Sequence, residues 1–231
     1  MYKVSFLLLL FVIYSFLGWC MEVVDTYYNE KKFVNRGFMI GPYCPIYGTG
    51  ALLVIWRLSD YIDKPIGLFV TSMVLCSIIE YACSYIMEKL FNTRWWDYSD
   101  KKFNINGRIC LETMIPFGLG CMLVMYVVNP FLTNVLHLLP EIVLIIIACI
   151  VFVILLADFL ISFNIIWKFR NVSKNVRKDS TETITEYVRK EILKKNKLLY
   201  NRLVHAFPKL EVLKKLRDKH LTEKENKNSP K

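Results

Sequence analysis

Acidic side chains lie inside segments of this chain that are otherwise apolar. They are Glu22, Asp25, Glu80, Glu88, Glu112 and Asp158. A charged side chain at the centre of a membrane helix costs about 2.5–3.5 kcal/mol on insertion scales, so such residues usually face a partner or a cavity. The chemistry that these acids suggest is the binding of a solute or the transfer of a proton.

Spacing places several of these acids on shared helix faces. One set consists of Ser15, Gly18, Glu22 and Asp25, and the other of Ser77, Glu80, Ser84 and Glu88. Residues three and four apart lie on one face of a helix, so each set predicts a polar stripe. For Glu22 and Glu80 we favour a polar cavity that opens toward the cytosol. For the serines we favour the alternative, in which small polar residues only hold helices together.

Basic and aromatic residues occupy two loops that echo each other in sequence. Glu30-Lys31-Lys32-Phe33 returns as Asp100-Lys101-Lys102-Phe103. We expect Arg36, Arg94 and Arg108 in these loops to pair with the acids, above all with Glu22 and Glu80. An arginine can also bind phosphate through two hydrogen bonds. The alternative is an aromatic belt at the membrane surface with a local salt bridge.

No residue is assigned a catalytic role, and the candidates are for binding or for lining a cavity. They are Glu22, Arg36, Glu80, Ser84, Glu88, Arg94, Trp95, Trp96, Asp97, Arg108 and Glu112.

Glycines and prolines interrupt the start of the second apolar segment. The candidate hinge residues are Gly41, Pro42, Pro45 and Gly48. Prolines and glycines at this density oppose a regular helix. Pro45 suits the first position of a helix, and the residues before it suit a short re-entrant turn. Such interruptions indicate a transport site, and the alternative is a tight turn with close helix packing.

The elements that must position these residues are membrane helices. The chain has 231 residues, of which 55% are hydrophobic, and the apolar segments have the length that crosses a hydrocarbon layer about 30 Å thick. We predict an all-α polytopic membrane protein, with a transmembrane domain over 1–167 that forms two helical hairpins and a fifth span. The predicted spans are 4–26, 44–58, 66–91, 109–132 and 139–167.

Charge predicts the orientation in the membrane. Lysine and arginine collect in the first and third loops and in the C-terminal tail, which favours the cytosol for all three. The tail, 168–231, holds 19 Lys and Arg against 8 Asp and Glu, hence +11. The predicted location is a bacterial plasma membrane, with the N-terminus outside and the C-terminus in the cytoplasm.

The tail is predicted to hold a basic amphipathic helix over 181–206. Such a helix suits a membrane surface or the groove of a partner protein. A basic segment that follows a membrane span more often contacts anionic lipid headgroups, so we favour lipid over nucleic acid.

The seven cysteines do not form a recognisable disulfide or metal-binding pattern. Their number is odd, no CxxC occurs, and all lie in or beside apolar segments. They read as small buried hydrophobic residues, and we predict no disulfides, no metal and no cofactor.

Several strings resemble a bacterial family of ABC-transporter permeases of a type IV, CmpB-like, class. The matching pieces are Ser15–Glu22, Phe33–Gly50, Ser77–Phe91, Arg94–Glu112 and His205–Leu210. The resemblance implies a permease that works with a separate cytosolic ATPase. The chain itself lacks the phosphate-binding G-x-x-x-x-G-K-[ST] motif, and the family provides no established catalytic residues.

Three functions stay open at this stage. The favoured one is a transport subunit without an ATPase of its own. The second is a membrane-embedded enzyme that acts on lipid-linked or headgroup phosphates, and the third is a non-catalytic scaffold. The sequence predicts neither the substrate nor the oligomeric state.

Overall fold

The computed structural model describes residues 1–31, 37–91 and 95–176. In these residues the helices are α1 (Tyr2–Glu30), α2 (Pro45–Leu58), α3 (Pro65–Phe91), α4 (Leu111–Leu123), α5 (Asn129–His137) and α6 (Glu141–Val176). A 3-10 turn (Ser59–Tyr61) precedes α3, and a π-helical stretch (Val124–Val128) joins α4 to α5. Two short antiparallel strands, β1 (Asn104–Ile105) and β2 (Ile109–Cys110), precede α4. The predicted tail helix over 181–206 lies outside the described residues.

Four stretches are long and apolar enough to cross a membrane. They are Tyr2–Tyr28, Pro65–Phe91, Leu111–His137 and Glu141–Asn164. Four of the five predicted spans therefore coincide with such helices, and the prediction of an all-α polytopic membrane protein is confirmed. The remaining predicted span, 44–58, coincides with α2, whose 14 residues extend only about 21 Å. Because the hydrocarbon layer is about 30 Å thick, α2 is too short to cross it alone.

The outward faces of the long helices are apolar. On α6, Ile142, Ile146, Ile150 and Val153 are each more than half exposed. Their spacing puts them on one side of the helix, and a continuous exposed apolar face of this kind marks a surface that contacts lipid or protein. This face fits a lipid-facing helix.

Contacts between helices fix their directions. The Tyr2 hydroxyl forms a hydrogen bond with His137 Nδ1 at 3.0 Å, so the start of α1 lies beside the end of α5. A buried cluster that includes Leu10, Leu136 and Leu144 then joins α1, α5 and the start of α6. At the opposite end of the bundle α1 and α3 finish and α4 begins. We call this the loop end.

Residues 37–44, which precede α2, return into the bundle without helical structure. We call residues 37–44 the re-entrant segment. The Phe38 ring lies 5.9 Å from the Phe91 ring, at the loop end where α3 finishes. The Cys44 amide donates to the Ser15 carbonyl at 2.9 Å, halfway along α1. Pro45 then opens α2 as its first residue, as predicted. The described chain therefore enters the bundle as irregular backbone and becomes helical only beside the middle of α1.

The pairing of α3 with α4 predicts a specific cross-link. The thiols of Cys76 and Cys121 lie 3.4 Å apart, and neither cysteine is in a disulfide. When the full chain in detergent is treated with copper–phenanthroline, we expect mass spectrometry of its peptides to show a Cys76–Cys121 disulfide. A Cys121→Ser variant should lose this linked peptide. Preferential linkage of either cysteine to Cys149 would contradict the helix arrangement.

Candidate functional site

Two glutamates inside the bundle each accept a hydrogen bond from a tyrosine. The Tyr47 hydroxyl of α2 donates to Glu22 Oε1 of α1 at 2.6 Å. The Tyr98 hydroxyl, which comes from the loop after α3, donates to Glu80 Oε1 of α3 at 3.2 Å. We call Glu22, Tyr47, Glu80 and Tyr98 the acid–tyrosine cluster.

The charges of both glutamates act on Tyr98. Burial raises the pKa of the Tyr98 phenol, and the negative charges of Glu80 and Glu22 raise it further. Glu22 also acts electrostatically on Glu80. Tyr98 therefore stays protonated at neutral pH and is available as a donor, and the cluster concentrates negative charge in a buried place.

Glu22 is linked to the start of α2 through Tyr47, which is the third residue of that helix. The N-terminus of a helix carries a partial positive charge, which stabilises a nearby carboxylate. Because α2 begins halfway along α1, this partial charge lies inside the bundle rather than at its surface.

Glu80 is the least compensated acid of the described residues. It is only 6% exposed, and its second oxygen, Oε2, is buried without a hydrogen-bond partner among the residues that the structure places. A buried polar atom without a partner costs about 1–3 kcal/mol, and more when it carries charge. This atom therefore marks a place where the site lacks a donor.

Asp158 of α6 holds the re-entrant segment. The amide N–H groups of Ile40 and Gly41 donate to its two carboxylate oxygens at 2.8 Å and 2.5 Å. The hydroxyl of buried Ser162 donates to Asp158 Oδ1 at 2.9 Å. Non-helical backbone inside a membrane protein requires such partners, since no water is present to satisfy it. Asp158 therefore fixes the re-entrant segment to α6.

The partner of Arg108 differs from our prediction. Its guanidinium pairs with Glu88 at 2.6 Å and donates to the Ser84 hydroxyl at 3.1 Å, whereas we expected Glu22 or Glu80. The group also lies 5.6 Å from the Tyr81 ring and 5.4 Å from the Tyr85 ring. The reason is the geometry of the loop, which brings Arg108 to the last turns of α3, where Glu88 lies closer to the loop end than Glu80.

A β-hairpin that we did not predict positions both Arg108 and Tyr98. Asn106 and Gly107 have φ values of 53° and 66° in its turn, which is the backbone of a tight hairpin turn with an Asn-Gly centre. The Gly107 carbonyl accepts from the Tyr98 amide at 2.8 Å, and the Arg108 carbonyl accepts from Trp96 Nε1 at 3.0 Å. The Asn-Gly pair was the sequence signal for this turn.

The remaining described loop candidates contact residues outside the cluster. Glu112 pairs with Lys101 at 2.6 Å, and both side chains are more than half exposed. Asp97 accepts hydrogen bonds from Ser99, and the Trp95 ring packs 5.3 Å from the Phe91 ring. Arg36 and Arg94 lie outside the described residues.

The hinge candidates serve different purposes. Gly41 donates its amide to Asp158, and a Cβ at this position would overlap the Tyr43 ring. Gly48 is buried against α1, where a Cβ would lie 2.5 Å from the Phe11 carbonyl oxygen. Pro45 begins α2, and Pro42 is exposed. Together these residues allow the re-entrant segment to enter the bundle and α2 to pack closely against α1.

Tyr47 and Tyr98 are the site residues that the sequence analysis missed. Tyr98 was expected at the membrane surface, but its hydroxyl reaches the buried Glu80. Neither tyrosine stands at a helical spacing from the acid that it contacts, so no periodic signal could have found them. The fold of the two loops decides both contacts.

The chemistry available in the cluster is the acceptance of hydrogen bonds and positive charge. Among the described residues no group of three or more His, Cys, Asp or Glu side chains is placed to hold a metal ion. The cluster thus offers carboxylate and phenol oxygens, one of which lacks a donor.

Comparison with known proteins gives one match. A family model described as "Putative ABC-transporter type IV" matches residues 9–163, a region that includes the acid–tyrosine cluster, the re-entrant segment and Asp158. No curated protein and no solved structure matches the chain significantly.

Proposed function

Because the match covers more than half of its residues, this chain belongs to the "Putative ABC-transporter type IV" family, and we propose that it is the membrane-embedded permease component of a transporter. It acts with a separate ATPase, since its sequence has no G-x-x-x-x-G-K-[ST] motif. In this proposal the solute passes beside the acid–tyrosine cluster, through a polar cavity that opens to the cytosol.

The re-entrant segment is the observation that carries this proposal. Transporters bind their solutes where a helix is interrupted in the middle of the membrane, because the free backbone groups and the helix ends there can contact the solute. The segment brings such an interruption to the midpoint of α1, next to Glu22 and Tyr47. Asp158 keeps this backbone in place through two amide hydrogen bonds.

The re-entrant segment and α2, taken together, also support the predicted orientation. Counted as one passage, the re-entrant segment and α2 complete five crossings together with the four long helices. An odd number of crossings places the termini on opposite sides of the membrane. We propose a bacterial plasma membrane, with the N-terminus outside and the lysine-rich and arginine-rich tail in the cytoplasm.

A phosphate-directed enzyme receives no support from Arg108. Its charge is matched by Glu88, and its guanidinium is enclosed by Ser84 and two tyrosine rings. A buried arginine that already has these partners is not free to bind phosphate. We therefore propose transport alone.

The transport proposal predicts the effect of Asp158→Asn. The substituted amide keeps the size of the side chain but accepts through one oxygen only, so one backbone donor of the re-entrant segment loses its acceptor. We expect solute accumulation to fall about 5- to 150-fold, because an unsatisfied donor costs about 1–3 kcal/mol. The measurement is ATP-dependent uptake of a panel of labelled solutes by membrane vesicles that contain the full chain and its co-purified ATPase.

Asp60→Asn is the matched control, since Asp60 is an exposed aspartate in the 3-10 turn. It should leave uptake unchanged. The proposal would be abandoned if vesicles with the wild-type chain accumulated no solute and no ATPase co-purified with it.

A further inference from the structure

We propose that the acid–tyrosine cluster binds the protonated primary amine of a solute, and that the Glu80 carboxylate is its principal acceptor. This inference rests on the proposed transport function and adds the chemical class of the substrate.

The distribution of partners among the acids supports a positively charged ligand. Asp158 has two backbone amides and a hydroxyl, and Glu88 has Arg108. Glu22 accepts a hydrogen bond from the Tyr47 hydroxyl. Glu80 accepts one from the Tyr98 hydroxyl, and its Oε2 atom is buried without a hydrogen-bond partner among the described residues. Glu80 Oε2 is therefore a place for one more donor.

The number of free oxygens favours an ammonium group over a guanidinium group. A guanidinium pairs best with both oxygens of a carboxylate, but Tyr98 already occupies Glu80 Oε1. An ammonium group has three donors and no fixed plane. One N–H suffices for Glu80 Oε2, and the other two are free to turn toward acceptors of the protein or of the solute.

The same oxygens suit a metal ion poorly. Calcium takes six to eight oxygen ligands, whereas the cluster has two carboxylates and two phenols. No group of three or more metal-binding side chains exists in the part of the chain that is described.

Ethylammonium is the probe for the experiment. The full chain is placed in lipid nanodiscs of phosphatidylcholine and phosphatidylglycerol at pH 7, and binding is measured by calorimetry. We expect ethylammonium to bind, and tetramethylammonium, which has no N–H donor, to bind much more weakly. Glu80→Gln should weaken ethylammonium binding about 10- to 100-fold, as expected for the loss of a hydrogen bond to a charged group.

Two further variants keep the result interpretable. Glu141→Gln removes an exposed glutamate at the start of α6, outside the cluster, and should bind like the wild type. Tyr98→Phe removes one phenol oxygen and should weaken binding by a smaller factor, so it tests the site even if Glu80→Gln does not fold. Equal binding of ethylammonium by the wild type and by folded variants of Glu80 and Tyr98 would overturn the proposal.

The amine can come from a soluble solute or from an aminolipid headgroup. Nanodiscs that contain phosphatidylethanolamine distinguish the two, because an aminolipid in the site would compete with ethylammonium. Competition supports a lipid source, and its absence supports a soluble amine.

The outcomes also separate this inference from the proposed function. Vesicles that transport only solutes without an amine, together with no binding of ethylammonium, would refute the inference and leave transport standing. Binding of ethylammonium that depends on Glu80, without transport of any solute, would support the amine site and refute the transport function.

Discussion

Replacing Arg108 by alanine is expected to destabilise the protein by about 3–5 kcal/mol, the cost of removing one partner of a buried ion pair. Arg108 is buried, with 9% of its side chain exposed, and Glu88 is 34% exposed. The substitution leaves the Glu88 carboxylate without its cation and the Ser84 hydroxyl without its donor. Since Glu88 retains some solvent, we expect the lower end of this range.

Lys101→Ala is the matched control for Arg108→Ala. Lys101 and Glu112 also form an ion pair of 2.6 Å in the same loop region, and Glu112 raises the pKa of Lys101. Both side chains are more than half exposed, and exposed pairs contribute about 0–1 kcal/mol. The two ion pairs have the same N–O distance, but we expect the loss of stability to differ because only the Arg108–Glu88 pair includes a buried side chain.

Heat-induced unfolding of the full chain in detergent provides the measurement. The midpoint should fall clearly for Arg108→Ala and remain within error of the wild type for Lys101→Ala. A double variant, Arg108→Ala with Glu88→Gln, should recover part of the loss, since it removes the unpaired charge. Equal midpoints for the two single variants would show that burial does not distinguish the pairs.

Replacing Gly48 by alanine is expected to separate α2 from α1. A Cβ at Gly48 would lie 2.5 Å from the Phe11 carbonyl oxygen and would overlap the Ser15 hydroxyl. The carbonyl belongs to the α1 backbone and cannot move without moving the helix. Overpacking of this kind costs about 1–3 kcal/mol, and here it would also displace Tyr47 from Glu22.

Gly50→Ala is the control, two residues further along α2. A Cβ at Gly50 would meet no atom within 4 Å. Alanine favours a helix over glycine by about 0.8–1.0 kcal/mol, so Gly50→Ala should raise the unfolding midpoint while Gly48→Ala lowers it. The same substitution, glycine to alanine, is therefore expected to shift the unfolding midpoint in opposite directions at two positions of one helix. A stabilising Gly48→Ala would contradict the close contact between α1 and α2.

The sequence predicted the helices better than it predicted their contacts. The lengths of the apolar segments indicated four spans that the structure contains, and Pro45 marked the start of α2. The segment 44–58 was taken for a span because the irregular residues before it were assigned to a loop. Hydropathy does not show whether a polar, glycine-rich stretch lies outside the bundle or returns into it, since that depends on partners such as Asp158.

The candidate site shows the same division. Helical spacing identified Glu22 and Glu80 as unusual, because a charge inside an apolar helix is costly wherever its partner lies. Tyr47 and Tyr98 could not be identified, because they reach these acids through the course of two loops and not through a repeat within one helix. Arg108 was correctly linked to the buried acids as a group, but the β-hairpin brings it to Glu88.

The sequence alone thus determined the fold class, the acidic residues within the apolar segments and the family. These follow from the length and hydropathy of segments and from local sequence motifs, which are properties of the chain. Tertiary structure alone decided which acid each donor satisfies, because a hydrogen bond requires two atoms within about 3 Å and residues far apart in sequence meet only through packing. Glu80 is the clearest example. Its position in α3 made it a candidate, and packing left its Oε2 atom buried without a donor among the described residues, which is where a ligand is expected.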